Sequence, residues 1–233
     1  MFNNSFSKKW IMVRVLIMGF MLSCAFFCRA EPYREFVKLC SSSTPDGYLA
    51  YLLINEVPFP GEHSYVSVKD SKTGMIQILW VLHCRLFLIP KGYKQQHIAN
   101  TSTENIIDII TANGQCEGFF ANDEGLPGHD SRVCDRIKYL LKIANRGSKP
   151  GKFAELLSYA KSISSSYIKQ YRIKEPDIFA DIDIINAIKV TGRAYSWMAN
   201  KDYYRPGGNF IAIPDSKNGA IAGNRFYTLK RKE

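Results

Sequence analysis

Residues 46–86 read DGYLAYLLINEVPFPGEHSYVSVKDSKTGMIQILWVLHCRL. The first part is an apolar run that ends on Glu56, and Asp46 stands where an N-cap belongs. Pro58 and Pro60 cannot continue a helix, because the ring fixes φ and removes the N–H, so the helix ends near Glu56. A carboxylate there meets the negative end of the helix dipole. Its neighbours Leu53, Ile54, Val57 and Phe59 are apolar and disfavour its charged form. Both effects raise its pKa toward the range that a general acid uses near neutral pH. The same pattern also describes a polar residue that merely closes a buried helix, and the local sequence leaves both open.

A Pro/Gly-rich loop follows and delivers a second carboxylate, Glu62. HSYVSV, residues 63–68, alternates polar and apolar side chains and is expected to form a short strand or hairpin arm. A long helix is expected from Asp70–Ser71 to Leu86, with Met75, Ile78, Leu79 and Leu82 on one face. Trp80 falls about 180° from Leu82 by the helical period, facing either a cleft or a second packed element. Arg85 sits near the helix end, where a cation is favoured.

Four pieces of the chain resemble, in order, the motifs of the SleB-type cell wall hydrolases, known from spore-cortex lytic enzymes. Glu56 and Glu62 resemble the two Glu of that family's E-A-R-G-E-like motif, with the intervening loop lengthened to VPFPG. The stretch from Gly74 to Arg85 resembles its G…NR helix, with Cys84 in place of Asn. Gln115, in NGQCEGFF, resembles its Q-F motif, and IAGNRFY (221–227) resembles its I-G-N-H-x-F-Y-like tail, with Arg225 in place of His. The resemblance implies a mainly α (α+β), lysozyme-like single domain with a small β element. It implies cleavage of the MurNAc–GlcNAc β-1,4 bond of peptidoglycan by Glu56 as general acid, without a cofactor. A lytic transglycosylase uses one Glu as acid and then base while the MurNAc C6 hydroxyl attacks, whereas an ordinary glycosidase needs a second carboxylate, for which Glu62 is the candidate.

Outward from this stretch, residues 1–30 have the form of a secretory signal. Lys8, Lys9 and Arg14 precede an apolar run, and small residues stand before a cut after Ala30. The rival is an uncleaved membrane anchor that would keep the protein near a membrane, although the run is short for a span of about 20 residues. Residues 31–45 read as a short helix and a Ser/Thr/Pro linker, and 46–233 as the catalytic domain. The expected location is the periplasm or cell envelope. Export leaves Cys40, Cys84, Cys116 and Cys134, and an even count in that compartment points to two disulfides. Three connectivities exist; Cys116–Cys134 and Cys40–Cys84 are the preferred pair. No CxxC or HxxxH spacing occurs, so no metal is expected.

The chain carries 31 Lys+Arg against 21 Asp+Glu. Loss of residues 1–30 takes four basic and no acidic side chains, leaving a net +6. That excess suits an anionic polymer such as peptidoglycan; nucleic acid matches the charge but not an export signal. A length of 233 residues with 46% hydrophobic content fits one domain with a sizeable core.

Thr101 and Glu104 have capping-box spacing ahead of ENIIDIITAN, with Gly114 as the stop, so Gln115 emerges past a helix end where it would meet a sugar acetamide or cap the turn. Phe119 and Phe120 are candidates for sugar stacking or core. NDEGLPGHD reads as loop. Helices are expected over RVCDRIKYLLKIAN, KFAELLSYAKSISSSYI and DIFADIDIINAIKV. The segment from Gly192 on is loop-like and aromatic, and Tyr195, Trp197, Tyr203 and Tyr204 are candidates to contact glycan; NRFYTL is a strand. Two other functions compete. One is a non-catalytic, disulfide-bonded binding or immunity-type protein. The other is a Cys/His amidase or peptidase with Cys40 or Cys116 as nucleophile and His63 or His83 as base.

Overall fold

Thr44 and Pro45 set the start of the first helix. Proline is preferred at the first helical position, so the cap falls one residue upstream of it. Helix α1 accordingly runs Pro45–Glu56 with Thr44 as N-cap, its side chain accepting from Gly47 N. Asp46, expected to be the cap, instead lies in the first turn and accepts a hydrogen bond from Ser165 Oγ at 2.8 Å. Its bonds, to Thr44 foremost, hold its carboxyl down at about 2. Seven residues of α1 are buried, including Leu49, Leu52, Leu53 and Ile54. Each fully buried aliphatic side chain of this size contributes about 1.5–3 kcal/mol.

A computed structural model describes residues 35–173, 176–179, 193–200, 207–213 and 220–232. After α1 come α2 (Val68–Phe87), α3 (Gln95–Ala99), α4 (Ile106–Thr111), β1 (Phe119–Ala121), β2 (Pro127–His129), α5 (Ser131–Ala144) and α6 (Lys152–Gln170). A 3₁₀ turn (Asp177–Phe179) and strands β3 (Ser196–Ala199), β4 (Phe210–Ala212) and β5 (Asn224–Leu229) complete the described elements. The fold is α+β. Helix α6 packs on α1, α2 and α5. The strands form two small sheets: an antiparallel β1–β2 hairpin, and an antiparallel three-stranded sheet in the order β3-β5-β4. No helix of the described residues is long and apolar enough to cross a membrane. The signal-like residues 1–30, Tyr203, Tyr204 and most of DIFADIDIINAIKV lie outside the described residues.

Helix α2 buries Met75, Ile78, Leu79 and Leu82 as its spacing predicts. It begins earlier than Asp70, because the Ser67 hydroxyl caps it by accepting from Asp70 N at 3.0 Å. That cap removes the end of HSYVSV from any strand, and Ser64 adopts φ 68°, so the expected strand does not form. Trp80 packs against Phe179, edge-on at 4.9 Å, and stacks with His83 at 5.9 Å. It belongs to the core side, not to a cleft.

Other expectations are corrected nearby. Helix α4 is capped by Asn105, not by Thr101 with Glu104, and spans six residues. Residues 35–41 form no helix; Val37 is buried and exchanges two hydrogen bonds with the Asn145 side chain, N to Oδ1 at 3.0 Å and Nδ2 to O at 3.1 Å. The segment is a strap on the helical body, not a free linker. NDEGLPGHD contains the turn and second arm of the β1–β2 hairpin, with Phe119 opposite His129 and Ala121 opposite Pro127. The loop-like stretch before residue 200 carries β3, zipped to β5 with Trp197 opposite Phe226. Strand β5 is NRFYTL, where a strand was expected.

Gly74 shows how tightly α2 meets the chain just before β5. A Cβ there would lie 2.4 Å from Ala222 Cβ and 3.2 Å from Val57 Cγ1. Alanine has the higher helix propensity by about 1 kcal/mol, but overpacking of this kind costs about 1–3 kcal/mol. Gly74→Ala is therefore expected to lower the thermal midpoint by several degrees. An unchanged or raised midpoint would show that the 221–223 turn yields freely.

Candidate active site

Glu56 closes α1, and its carboxylate stands in a cleft of about 720 Å³. The cleft is walled by the end of α1, Arg85 of α2, the turn around Gln115, Arg132 and Arg136 of α5, and strand β3 with Asn224 of β5. Pro58 forces the chain to leave the helix here, and Val57 takes extended backbone as the C-cap. The helix end thus faces the open space instead of continuing through it.

Two side chains from the C-terminal sheet hold Glu56. Trp197 Nε1 donates to Glu56 Oε2 at 2.7 Å. Asn224 Nδ2 donates to the Glu56 backbone carbonyl at 2.6 Å and to Ala222 O at 3.2 Å. Burial raises the pKa of the Glu56 carboxyl; the Trp197 hydrogen bond opposes it, Glu117 adds to the rise, and Arg136 draws it down. Desolvation dominates, so the proton is held to a higher pH than on an ordinary glutamate.

This shift has a measurable consequence for stability. The folded protein keeps the Glu56 proton at a pH where the unfolded chain has released it. The stability contributed by neutral Glu56 is fully present below the ordinary value of 4.5 and is lost as the pH rises through the higher folded value. Glu56→Gln is neutral throughout and still accepts from Trp197. Its melting temperature relative to wild type is expected to rise from acidic to neutral pH. A pH-independent difference would contradict the raised pKa.

Glu62 has a different task. It accepts from Phe59 N at 2.7 Å and from Arg136 through Nε at 3.2 Å and Nη2 at 2.6 Å. Arg136 also donates to the carbonyls of Ile54 and Val57, the second at 3.1 Å, and its guanidinium lies over the Phe59 ring. Glu62 and Arg136 thus clamp the loop that follows Glu56 onto α5, and Glu62 is absent from the cleft wall. Of the acidic side chains that do line the cleft, Asp130 caps α5 and pairs with Arg132 at 2.6 Å. Glu117 is the rim residue, its side chain 86% exposed and 3.5 Å from Arg132.

Gln115 is brought to the cleft, but its Oε1 already accepts from Arg85 Nη1 at 2.7 Å. Arg85 in turn donates through Nε to Tyr195 O at 2.7 Å and lies over the Trp197 ring at 5.1 Å. Tyr195, expected to meet glycan, is fully buried, and its hydroxyl donates to Leu88 O at 2.7 Å. Its side chain packs with Cys84, Leu88, Ile98 and Leu229. Phe119 is core, whereas Phe120 is exposed.

Neither expected disulfide is present: Cys40, Cys84, Cys116 and Cys134 are free thiols. Parity and compartment carry no distance information, and the four sit in separate environments. Cys84 packs with Leu88, Tyr195 and Leu229, and Cys116 belongs to the main core. Cys40 lies on the strap beside Asp46. Cys134 Sγ is 3.5 Å from His129 Nδ1, so the thiol–imidazole contact here involves neither Cys40 nor Cys116. Burial pushes the Cys116 thiol up, away from thiolate formation. His83 is buried with Nδ1 3.3 Å from the Tyr167 hydroxyl.

The sequence alone did not single out Asn224, Arg136 or Glu117. Asn224 had a signal, since it is the Asn of the IAGNRFY tail. Arg136 reaches α1 across 82 residues of chain to Ile54, and nothing local marks it. Compared with protein-family models, curated proteins and solved structures, the chain matches none.

Proposed function

We propose that this protein is an exported cell wall lytic enzyme with a lysozyme-like domain that cleaves the MurNAc–GlcNAc β-1,4 bond. The observation that carries this reading is a carboxyl group with a raised pKa, held by Trp197 in a cleft of about 720 Å³, with Asn224 holding the backbone carbonyl of the same residue. A neutral carboxyl so placed donates its proton to the leaving glycosidic oxygen. The Trp197 N–H then meets the carboxylate that remains, where a hydrogen bond to a charged acceptor is stronger.

The engagement of Glu62 by Arg136 and of Asp130 by Arg132 favours the one-carboxylate route. In that route the MurNAc C6 hydroxyl attacks C1, the C1–O4 bond breaks, and the Glu56 carboxylate takes the hydroxyl proton. The product is a 1,6-anhydro sugar. The basic balance of the chain suits a wall polymer bearing carboxylates. Incubation of purified sacculi with residues 31–233 tests the reading: loss of turbidity with release of soluble glycan supports it, and intact sacculi would refute it.

A further inference from the structure

Arg85 is the least compensated charge in the cleft. It is 5% exposed, yet its partners are a carbonyl, an amide oxygen and an indole face, all neutral. Arg132 and Arg136 line the same cleft and each has a carboxylate. Among the described residues no acid pairs with Arg85. The thiols of Cys116 and Cys84 are the groups closest to it electrostatically, and burial keeps both in the neutral form. Burial lowers the Arg85 pKa to about 10, which leaves it charged at neutral pH. A buried cation without an acid is costly unless something else supplies the opposite charge.

We propose that Arg85, oriented by Gln115, is a carboxylate-binding subsite of the Glu56 cleft. Its ligand is an anionic group on a muramic-acid-containing glycan. The inference rests on the cell-wall reading above. A guanidinium held flat by Nε and Nη1 offers its remaining N–H groups as a planar fork, the geometry that carboxylates match. Trp197 lies between this cation and Glu56: the guanidinium covers the indole face while the indole N–H holds the carboxyl. Because burial disfavours the charged form of Glu56, an anion bound at Arg85 meets less opposing charge there than beside an ordinary glutamate. Two sources supply the same chemistry: the lactyl carboxylate of a bare strand, and a carboxylate of a peptide stem.

Calorimetric binding to the full mature protein separates these possibilities. The probes are the GlcNAc–MurNAc disaccharide, the same disaccharide with its lactyl group as the methyl amide, the disaccharide bearing a peptide stem, and neutral chitobiose. None contains the scissile bond. The free acid or the stem-bearing compound is expected to bind about tenfold or more tightly than chitobiose, as befits a charge-assisted pair. Whichever of the two wins identifies the source. Arg85→Met is expected to abolish the preference and Arg85→Lys to keep part of it. The wild-type comparison decides even where Arg85→Met does not fold. Equal binding of all four compounds, the stem-bearing one included, overturns the subsite and leaves the glycan reading standing. Binding of none of the four overturns both.

Discussion

Glu56→Gln is expected to reduce the release of soluble glycan from sacculi by roughly 10²–10⁴-fold, the usual contribution of a positioned general acid. The substitution keeps size and hydrogen-bond acceptance, so Trp197 Nε1 still has its partner, and Asn224 binds the backbone carbonyl whatever the side chain is. What disappears is the proton. The variant is therefore expected to stay folded, and at neutral pH it gains stability relative to wild type because burial of the carboxyl disfavours its charged form. Loss of activity together with unchanged or higher stability marks a group retained for chemistry against a folding cost. Activity of the wild type is expected to fall on the alkaline side as the pH passes the raised Glu56 value, since only the protonated form can act as acid. A fully active Glu56→Gln protein would remove Glu56 from the mechanism.

Arg136→Met is expected to cost about 2–4 kcal/mol of stability, because it deprives two backbone carbonyls and the Glu62 carboxylate of charged donors at once. The carbonyls belong to Ile54 and Val57, which bracket Glu56. Activity is expected to drop with stability, through loss of position and not of chemistry. One readout separates positioning from simple unfolding. Arg136 draws the Glu56 pKa down, so in the folded variant the alkaline limb of the activity profile is expected to move to higher pH. Denaturant titration gives the first quantity and the pH profile of initial rates the second. Glu62→Gln keeps acceptors for Arg136 and Phe59 N and is expected to be milder on both counts. Equal loss of activity in Glu62→Gln and Glu56→Gln would instead indicate a two-carboxylate hydrolase.

What the sequence disclosed was the local part of this arrangement. The prolines after Glu56 determine where α1 ends, and the apolar spacing of α2 selects its buried face, because both are decided within a few residues. Strand β5 likewise falls on the short segment NRFYTL, where a strand was expected. The three-residue arms of the β1–β2 hairpin are too short to show a period, and the turn residues between them read as loop. Start signals were displaced by a residue or more for chemical reasons: Pro45 moves the cap to Thr44, and the Ser67 hydroxyl captures α2 before Asp70. The clamp by Arg136 and the support from Trp197 and Asn224 join positions separated by 74 to 168 residues, and no local pattern encodes such contacts. Tyr195 and Trp197, both buried and separated by Ser196 alone, differ in what they hold: one is anchored to Leu88 O in the core and the other to Glu56 at the cleft. Composition alone does not distinguish them.

The central claim is that Glu56 is the single acid and base of a lytic reaction, and mass spectrometry of digested peptidoglycan tests it most directly. Purified peptidoglycan is treated with residues 31–233 of the wild type and, in parallel, of Glu56→Gln. The account predicts 1,6-anhydro-MurNAc ends from the wild type and none from the variant. Reducing MurNAc ends would contradict the one-carboxylate route and move attention to Glu117 on the cleft rim. Intact glycan, or anhydro ends from both proteins, would contradict the role of Glu56 altogether.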